Sequence, residues 1–139
     1  MRNSMMPLTV SILIVINDAE QAVMYERILS LSGYHVLVAR NAESALVLLA
    51  DYPADLLVTD AHLSGMSGIE LIHETRKRSF PIKTVLLHLG DGAYRLAREA
   101  GADGWMEKMS GLKVLLKIVQ TVLGFSPTPG RAGYSDLHA

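Results

Sequence analysis

The sequence predicts an α/β fold in which five parallel strands alternate with five helices. Short apolar runs, of the kind that a parallel sheet buries on both faces, alternate with stretches whose apolar residues recur at helical spacing. The clearest run, residues 56–58, leads to Asp60, and a loop rich in serine and glycine follows before helical spacing resumes at Ile69. Strict alternation with short links is typical of a parallel sheet that carries helices on both faces.

The elements of the first half follow from their apolar patterns and boundary residues. Residues 12–16 are fully apolar and form the first strand, and the helix after it ends at Gly33 because glycine favours a helix C-terminus. Residues 34–38 form the second strand. Asn41 is predicted to cap the second helix, and Pro53 stops that helix.

The second half repeats the pattern. We predict its strands at residues 56–60, 84–87 and 104–107. The third helix ends in the basic run of residues 76–78, which complements the helix dipole, and Gly101 stops the fourth helix. The last helix runs from about residue 110 to residue 123, and Gly124 ends it. Its inward face is predicted to hold Leu112, Leu115, Leu116, Val119 and Leu123.

Five strand–helix units favour the flavodoxin-like strand order 2-1-3-4-5. In that order strands one and three are neighbours, so Asn17 and Asp18 follow one strand where Asp60 ends the next. His88 ends the fourth strand and Lys108 follows the fifth. Because open α/β sheets place ligands beyond the carboxyl ends of their strands, we expect these five side chains at one functional edge.

The length and composition bound the class of protein. A chain of 139 residues is one domain, which we place at residues 9–124, with a flexible N-terminus at residues 1–8 and a flexible tail at residues 125–139. Thirteen basic and fourteen acidic residues give a formal charge of −1, which argues against direct nucleic-acid binding. Without cysteine there is no disulfide, thiol catalysis or cysteine-bound metal. No apolar run reaches the roughly 18 residues of a membrane span, and no convincing cleavage site follows the first strand, so we expect a cytoplasmic protein.

Several stretches together, in order and spacing, carry a family resemblance. They are residues 12–15, 32–36 and 39–46, then Asp60 with Leu63, Met66 and Gly68, and finally residues 99–108. In this pattern the chain resembles, over about residues 11–123, the receiver domain of two-component response regulators such as those of chemotaxis.

The resemblance implies a function in a phosphorelay. Asp60 matches the aspartate that accepts a phosphoryl group from a histidine kinase or phosphotransfer protein. Lys108 matches the lysine that pairs with the phosphoryl oxygens. His88 stands at the position of a switch hydroxyl, and Trp105 at the position of the aromatic switch residue. We therefore expect a signalling domain rather than an enzyme.

The chain departs from the family at the metal site. In an alignment without gaps the acidic pair that holds Mg²⁺ falls on Ile16 and Asn17, and Asp18 lies one position later. The candidate ligands are then Asn17, Asp18, Asp60 and the backbone carbonyl of His62, and we expect Mg²⁺ binding to be weak or absent. Restoring the pair with Ile16→Asp and Asn17→Asp should cost little stability, because the end of the first strand faces the loop edge.

Three further residues near the site, which lie next to His88 or Lys108 in the sequence or are His88 itself, depart from the family pattern. Imidazole at His88 replaces the usual threonine or serine and is larger, although it still donates a hydrogen bond. Leu89 replaces a small residue, and we expect it to obstruct the pocket. Met109 stands where the family has proline after the lysine.

Alternatives from other classes remain. The chain is alternatively a degenerate receiver that acts as a phosphorylation-independent interaction module. A flavodoxin-like enzyme or cofactor binder ranks last, because no glycine-rich phosphate loop follows the first strand. For association, we expect a homodimer or effector contact through Val114 and Ile118, which we place on the outer side of the last helix.

Overall fold

A computed structural model of the chain describes residues 9–124. The terminal segments predicted to be flexible, residues 1–8 and 125–139, lie outside the described residues. The elements are β1 (Ser11–Val15), α1 (Ala19–Leu31), β2 (His35–Ala39), α2 (Ala42–Asp51), β3 (Leu56–Asp60), α3 (Gly68–Lys77), β4 (Lys83–His88), α4 (Ala93–Ala100), β5 (Gly104–Glu107) and α5 (Leu112–Leu123). A short 3₁₀ turn, Lys108–Ser110, precedes α5, so the last helix begins two residues later than predicted. Within residues 9–124, no helix is both long enough and apolar enough to span a membrane.

The five strands form one parallel sheet in the order β2-β1-β3-β4-β5, which confirms the predicted topology. Side chains alternate between the two faces of each strand, so each strand contributes to two cores. In β3, for example, Leu56 and Val58 pack with α1 and α5, whereas Leu57 packs with α2, α3 and α4. This two-sided burial explains why the strands are nearly continuous apolar runs.

Three helices begin at polar side chains that accept backbone N–H groups. Asn41 caps α2, as predicted, with Oδ1 2.7 Å from the nitrogen of Ser44. Asp18 caps α1 in the same way, and Ser67 forms a reciprocal capping box with Glu70 at the start of α3. Each such cap satisfies a donor that the first helical turn leaves free, and is worth about 1 kcal/mol. The caps fix where the loops after β1 and β3 turn back toward the sheet.

The prediction that Val114 and Ile118 both lie on the outer side of α5 is correct for Val114 only. Val114 is 38% exposed, but Ile118 is partly buried and packs against the core on the α1 side. A side chain at Gly104 would come within 3.6 Å of Ile118 Cγ2, which shows how closely α5 lies on β5. The placement of Ile118 on the outer side is therefore wrong, because the apolar stripe of α5 is wider than the predicted one.

The expected low cost of changing Ile16 is also wrong. Ile16 is 3% exposed and belongs to the core cluster that α1 and α5 cover. A carboxylate at this position would lose its hydration without gaining a partner, which costs several kcal/mol. The adjacent residue, Asn17, is exposed, so the sheet edge begins one residue later than the sequence pattern indicated.

Candidate functional site

Asp60 is a buried carboxylate at the carboxyl end of the central strand β3. It is 2% exposed, and it continues the alternation of Leu56 and Val58, so it lies on the face that α1 and α5 cover. Its Oδ2 accepts a hydrogen bond from the backbone nitrogen of Asn17 at 2.9 Å. Its Oδ1 lies 2.9 Å from Nζ of Lys108. Each carboxylate oxygen therefore has its own nitrogen partner.

The Asp60–Lys108 ion pair is the strongest electrostatic feature of the site. The two side chains are 3% and 17% exposed, so water screens their attraction far less than it screens a surface pair. β5 ends at Glu107, and the 3₁₀ turn begins at Lys108 itself. This turn brings the ammonium group back across the end of the sheet toward β3.

The loop after β3 passes close to Asp60 and needs a glycine to do so. The nitrogen of Ala61 donates to the carbonyl of Leu87 at 2.7 Å, and the nitrogen of Gly68 donates to the carbonyl of Ala61 at 2.9 Å. A Cβ atom at Gly68 would lie 1.8 Å from the backbone oxygen of Asp60. Only glycine permits α3 to begin this near the backbone of Asp60.

Asn17 and Asp18, the two polar residues after β1, have different partners. The side chain of Asn17 reaches across to the next loop, where Nδ2 donates to the carbonyl of His62 at 3.0 Å. The carboxylate of Asp18 caps α1 and accepts from the nitrogens of Glu20 and Gln21 at 2.9 and 3.3 Å. The structure thus joins Asn17 to the Asp60 site, while Asp18 is bonded to its own helix.

Two histidines connect the loops that follow β3 and β4. The rings of His62 and His88 are 5.2 Å apart between centroids and tilted by 56°. His88 is partly buried, and its Nε2 lies 2.9 Å from the carbonyl oxygen of Asp91. Leu89, which we expected to obstruct the pocket, is 62% exposed, so most of its side chain is not packed into the protein.

Trp105 lies on the surface rather than in the core. It is 43% exposed and contacts Tyr94 of α4, with 5.9 Å between the ring centroids. The guanidinium of Arg98 lies 5.8 Å from the centre of the Tyr94 ring. The aromatic side chain on β5 therefore contacts α4 through Tyr94.

Two residues near the site were not singled out from the sequence. Tyr25 of α1 is 3% exposed, and burial followed by the negative charge of Asp60 raises the pKa of its phenol. Glu43 of α2 accepts a hydrogen bond from the nitrogen of Met66 at 3.2 Å and so ties the loop after β3 to α2. Helical spacing identifies Tyr25 as a core residue, but no local signal places it beside a carboxylate 35 positions away.

Comparison with known proteins identifies the class to which this fold and site belong. The chain matches the response regulator receiver domain over residues 12–120. It belongs to the response regulator receiver domain family.

Two curated relatives are longer than the chain. The transcriptional regulatory protein CpxR of Klebsiella pneumoniae subsp. pneumoniae (strain HS11286) is 32% identical over 113 residues, which are 81% of this chain and 48% of CpxR. The transcriptional regulatory protein KdpE of Mycobacterium tuberculosis (strain CDC 1551 / Oshkosh) is 32% identical over 108 residues, which are 76% of this chain and 48% of KdpE. The chain spans about half the length of these curated relatives.

Solved structures agree on the fold. The chemotaxis response regulator CheY4 of Vibrio cholerae superposes with a TM-score of 0.77 at 24% identity, over 83% of this chain and 99% of CheY4. The signal receiver domain of a signal transduction histidine kinase from Syntrophus aciditrophicus gives a TM-score of 0.76 at 27% identity, over 84% of this chain and 91% of that one. The predicted family and fold are thus confirmed.

Proposed function

We propose that the chain receives a phosphoryl group on Asp60 from a histidine kinase or a phosphotransfer protein. The observation that carries the proposal is the buried Asp60 carboxylate held 2.9 Å from Lys108 at the end of β3. A receiver domain acts in two-component signalling, and this is the one strongly buried carboxylate among residues 9–124. Because histidine kinases take their phosphoryl group from ATP, the proposal also places the chain in the cytoplasm.

The transfer is a displacement at phosphorus. A carboxylate oxygen of Asp60 forms a bond to the phosphorus of a phosphohistidine, and the bond from phosphorus to the imidazole nitrogen breaks. The electron pair stays on the imidazole, which takes up a proton from solvent, and Asp60 becomes an acyl phosphate. The protein contributes mainly position and charge to such a reaction. The ammonium of Lys108 offsets the negative charge that gathers when the phosphoryl oxygens approach the carboxylate.

Phosphoramidate is a direct test, because it carries the same phosphorus–nitrogen bond as phosphohistidine. We expect the intact mass of the protein to rise by one phosphoryl group. Hydroxylamine should remove that group, because it cleaves acyl phosphates and leaves phosphoserine intact. A protein that folds normally and gains no mass would contradict the proposal and favour the phosphorylation-independent interaction module.

We also propose that the surface of α4, β5 and α5 mediates association with a second copy of the chain. Three apolar side chains that a monomer leaves in water lie on these elements: Tyr94 is 56% exposed, Trp105 43% and Val114 38%. Exposed apolar residues on adjoining elements are typical of interaction surfaces. Ile118 is not part of this surface, because it packs against the core.

Replacing Val114 with glutamate should weaken that association. A buried charge at an interface loses hydration, and we expect the dissociation constant measured by sedimentation equilibrium to rise about tenfold. Val47→Glu is the matched control, because Val47 is 66% exposed on α2, which lies on the other face of the sheet from α5. Equal sedimentation of both variants and the wild type would show that α5 is not in the interface.

A further inference from the structure

The oxygen atoms that a divalent cation would use at Asp60 already lie in ion-pair or hydrogen-bond contact with nitrogen atoms of the chain. Asp60 Oδ1 is paired with Lys108 Nζ, and Oδ2 with the backbone nitrogen of Asn17, both at 2.9 Å. The carbonyl oxygen of His62 accepts from Asn17 Nδ2 at 3.0 Å. Mg²⁺ requires near-octahedral oxygen ligands and gives up its water reluctantly, so it needs carboxylate oxygens that are free to approach it.

No neighbouring side chain replaces the missing ligands. Ile16 is apolar and buried in the core, and the carboxylate of Asp18 caps α1. Over residues 9–124, no three side chains of histidine, aspartate or glutamate come together as a metal-binding group. The residues at this site therefore do not fit Mg²⁺.

The chemistry of the contact fixes the orientation of the Asn17 amide. A backbone carbonyl only accepts hydrogen bonds, so the NH₂ group of Asn17 must face the oxygen of His62. An aspartate at position 17 would instead place a second carboxylate against that carbonyl and near Asp60. Two facing oxygens repel each other unless a cation lies between them. Asparagine at position 17 thus places a nitrogen against the carbonyl oxygen of His62, whereas aspartate there would require a cation between the two oxygens.

We propose that three nitrogens of the chain, Asn17 N, Asn17 Nδ2 and Lys108 Nζ, take the place of the divalent cation, and that the Asp60 site works without Mg²⁺. The ammonium supplies a positive charge beside the buried Asp60 carboxylate, and the two N–H donors supply dipoles that the loops after β1 and β3 hold in place. The donors are already in position in the unphosphorylated protein. The statement about phosphoryl transfer rests on the function proposed for Asp60, whereas the statement about cation binding does not.

Mn²⁺ is a suitable probe of cation binding, because its electron paramagnetic resonance signal separates free from bound ion. We expect the wild type to show no bound Mn²⁺ that depends on Asp60. Asn17→Asp should bind Mn²⁺ on the order of tenfold more tightly or better, because it adds a carboxylate and removes the competing NH₂ group. Asn41→Asp is the matched control: it makes the same chemical change at an asparagine that caps α2, and it should bind no more Mn²⁺ than the wild type.

A second pair of measurements uses Mg²⁺ itself. Ligands that bind only the native state stabilise it, so Mg²⁺ should leave the urea midpoint of the wild type unchanged and raise that of Asn17→Asp. The rate at which phosphoramidate labels the wild type should change by less than about twofold when EDTA replaces Mg²⁺. Labelling of Asn17→Asp should become dependent on Mg²⁺.

The binding, stability and labelling results each support or overturn the proposal. Wild-type binding of Mn²⁺ as tight as that of Asn17→Asp, a rise of the wild-type midpoint with Mg²⁺, or labelling that requires Mg²⁺ would overturn it. A folded Asn17→Asp protein that still binds no Mn²⁺ would overturn it as well, because Asn17 would not be what excludes the cation. If no labelling occurs with or without Mg²⁺ while the binding results are as expected, the metal-free site stands and the phosphoryl-acceptor function fails.

Discussion

Asp60→Asn should abolish the incorporation of a phosphoryl group from phosphoramidate, to below about one-hundredth of the wild-type rate. The amide that replaces the carboxylate carries no negative charge and is a very poor nucleophile. Its oxygen can still accept the hydrogen bond from the nitrogen of Asn17, and its volume is almost the same. The substitution therefore removes the reacting group while it keeps the packing at the end of β3. The measurement is the initial rate of mass gain at equal protein concentration.

Asp91→Asn is the control for this experiment. Asp91 is an exposed residue in the loop after β4. It contacts His88 through its backbone oxygen, and its side-chain carboxylate takes no part in that contact. We expect it to label at the wild-type rate. If Asp60→Asn retained the wild-type rate, the phosphoryl group would reside on another residue, and the assignment of Asp60 would be wrong.

Lys108→Ala should slow phosphoryl incorporation on the order of 100-fold, because it removes the charged donor beside the carboxylate. The same change leaves Asp60, whose side chain is 3% exposed, without its ionic partner. Removing one partner of a buried pair costs about 3 kcal/mol, since the other charge stays buried. We therefore expect both a slower labelling rate and a lower urea midpoint.

A double variant separates the two effects of Lys108. In Asp60→Asn with Lys108→Ala no uncompensated charge remains, so the free energy of unfolding should fall by less than the sum of the two single changes. Lys113→Ala, at an exposed lysine on α5, is the matched control and should change neither the rate nor the midpoint. A Lys108→Ala protein that labels as fast as the wild type would show that the ion pair is structural only.

The order of the elements could be predicted because the signals are local. A parallel strand that is buried on both faces must be largely apolar, and residues 12–15 and 56–58 show this directly. Asn41 could be predicted as a cap because its hydrogen bond spans only three residues. Strict alternation then leaves few topologies, of which the observed strand order is the common one.

The details of the site depend on contacts between distant positions, which one sequence does not encode locally. Asn17 and Asp18 are adjacent polar residues, yet one crosses to His62 and the other caps its own helix. The requirement for Gly68 arises from an approach to the backbone of Asp60, and the effect of Asp60 on Tyr25 arises across two elements. Ile16 and Ile118 were misplaced for a related reason: both lie at the margin of an apolar stripe, where tertiary packing decides which side is covered.

The site of modification is the most direct measurement of the central claim. Borohydride reduces the acyl phosphate of an aspartate to homoserine, and tandem mass spectrometry then identifies the converted residue in a peptide. After labelling with phosphoramidate, the account predicts homoserine at position 60 and at no other aspartate. Homoserine at Asp18 or Asp91, or at no position in a protein that carries the added mass, would contradict it.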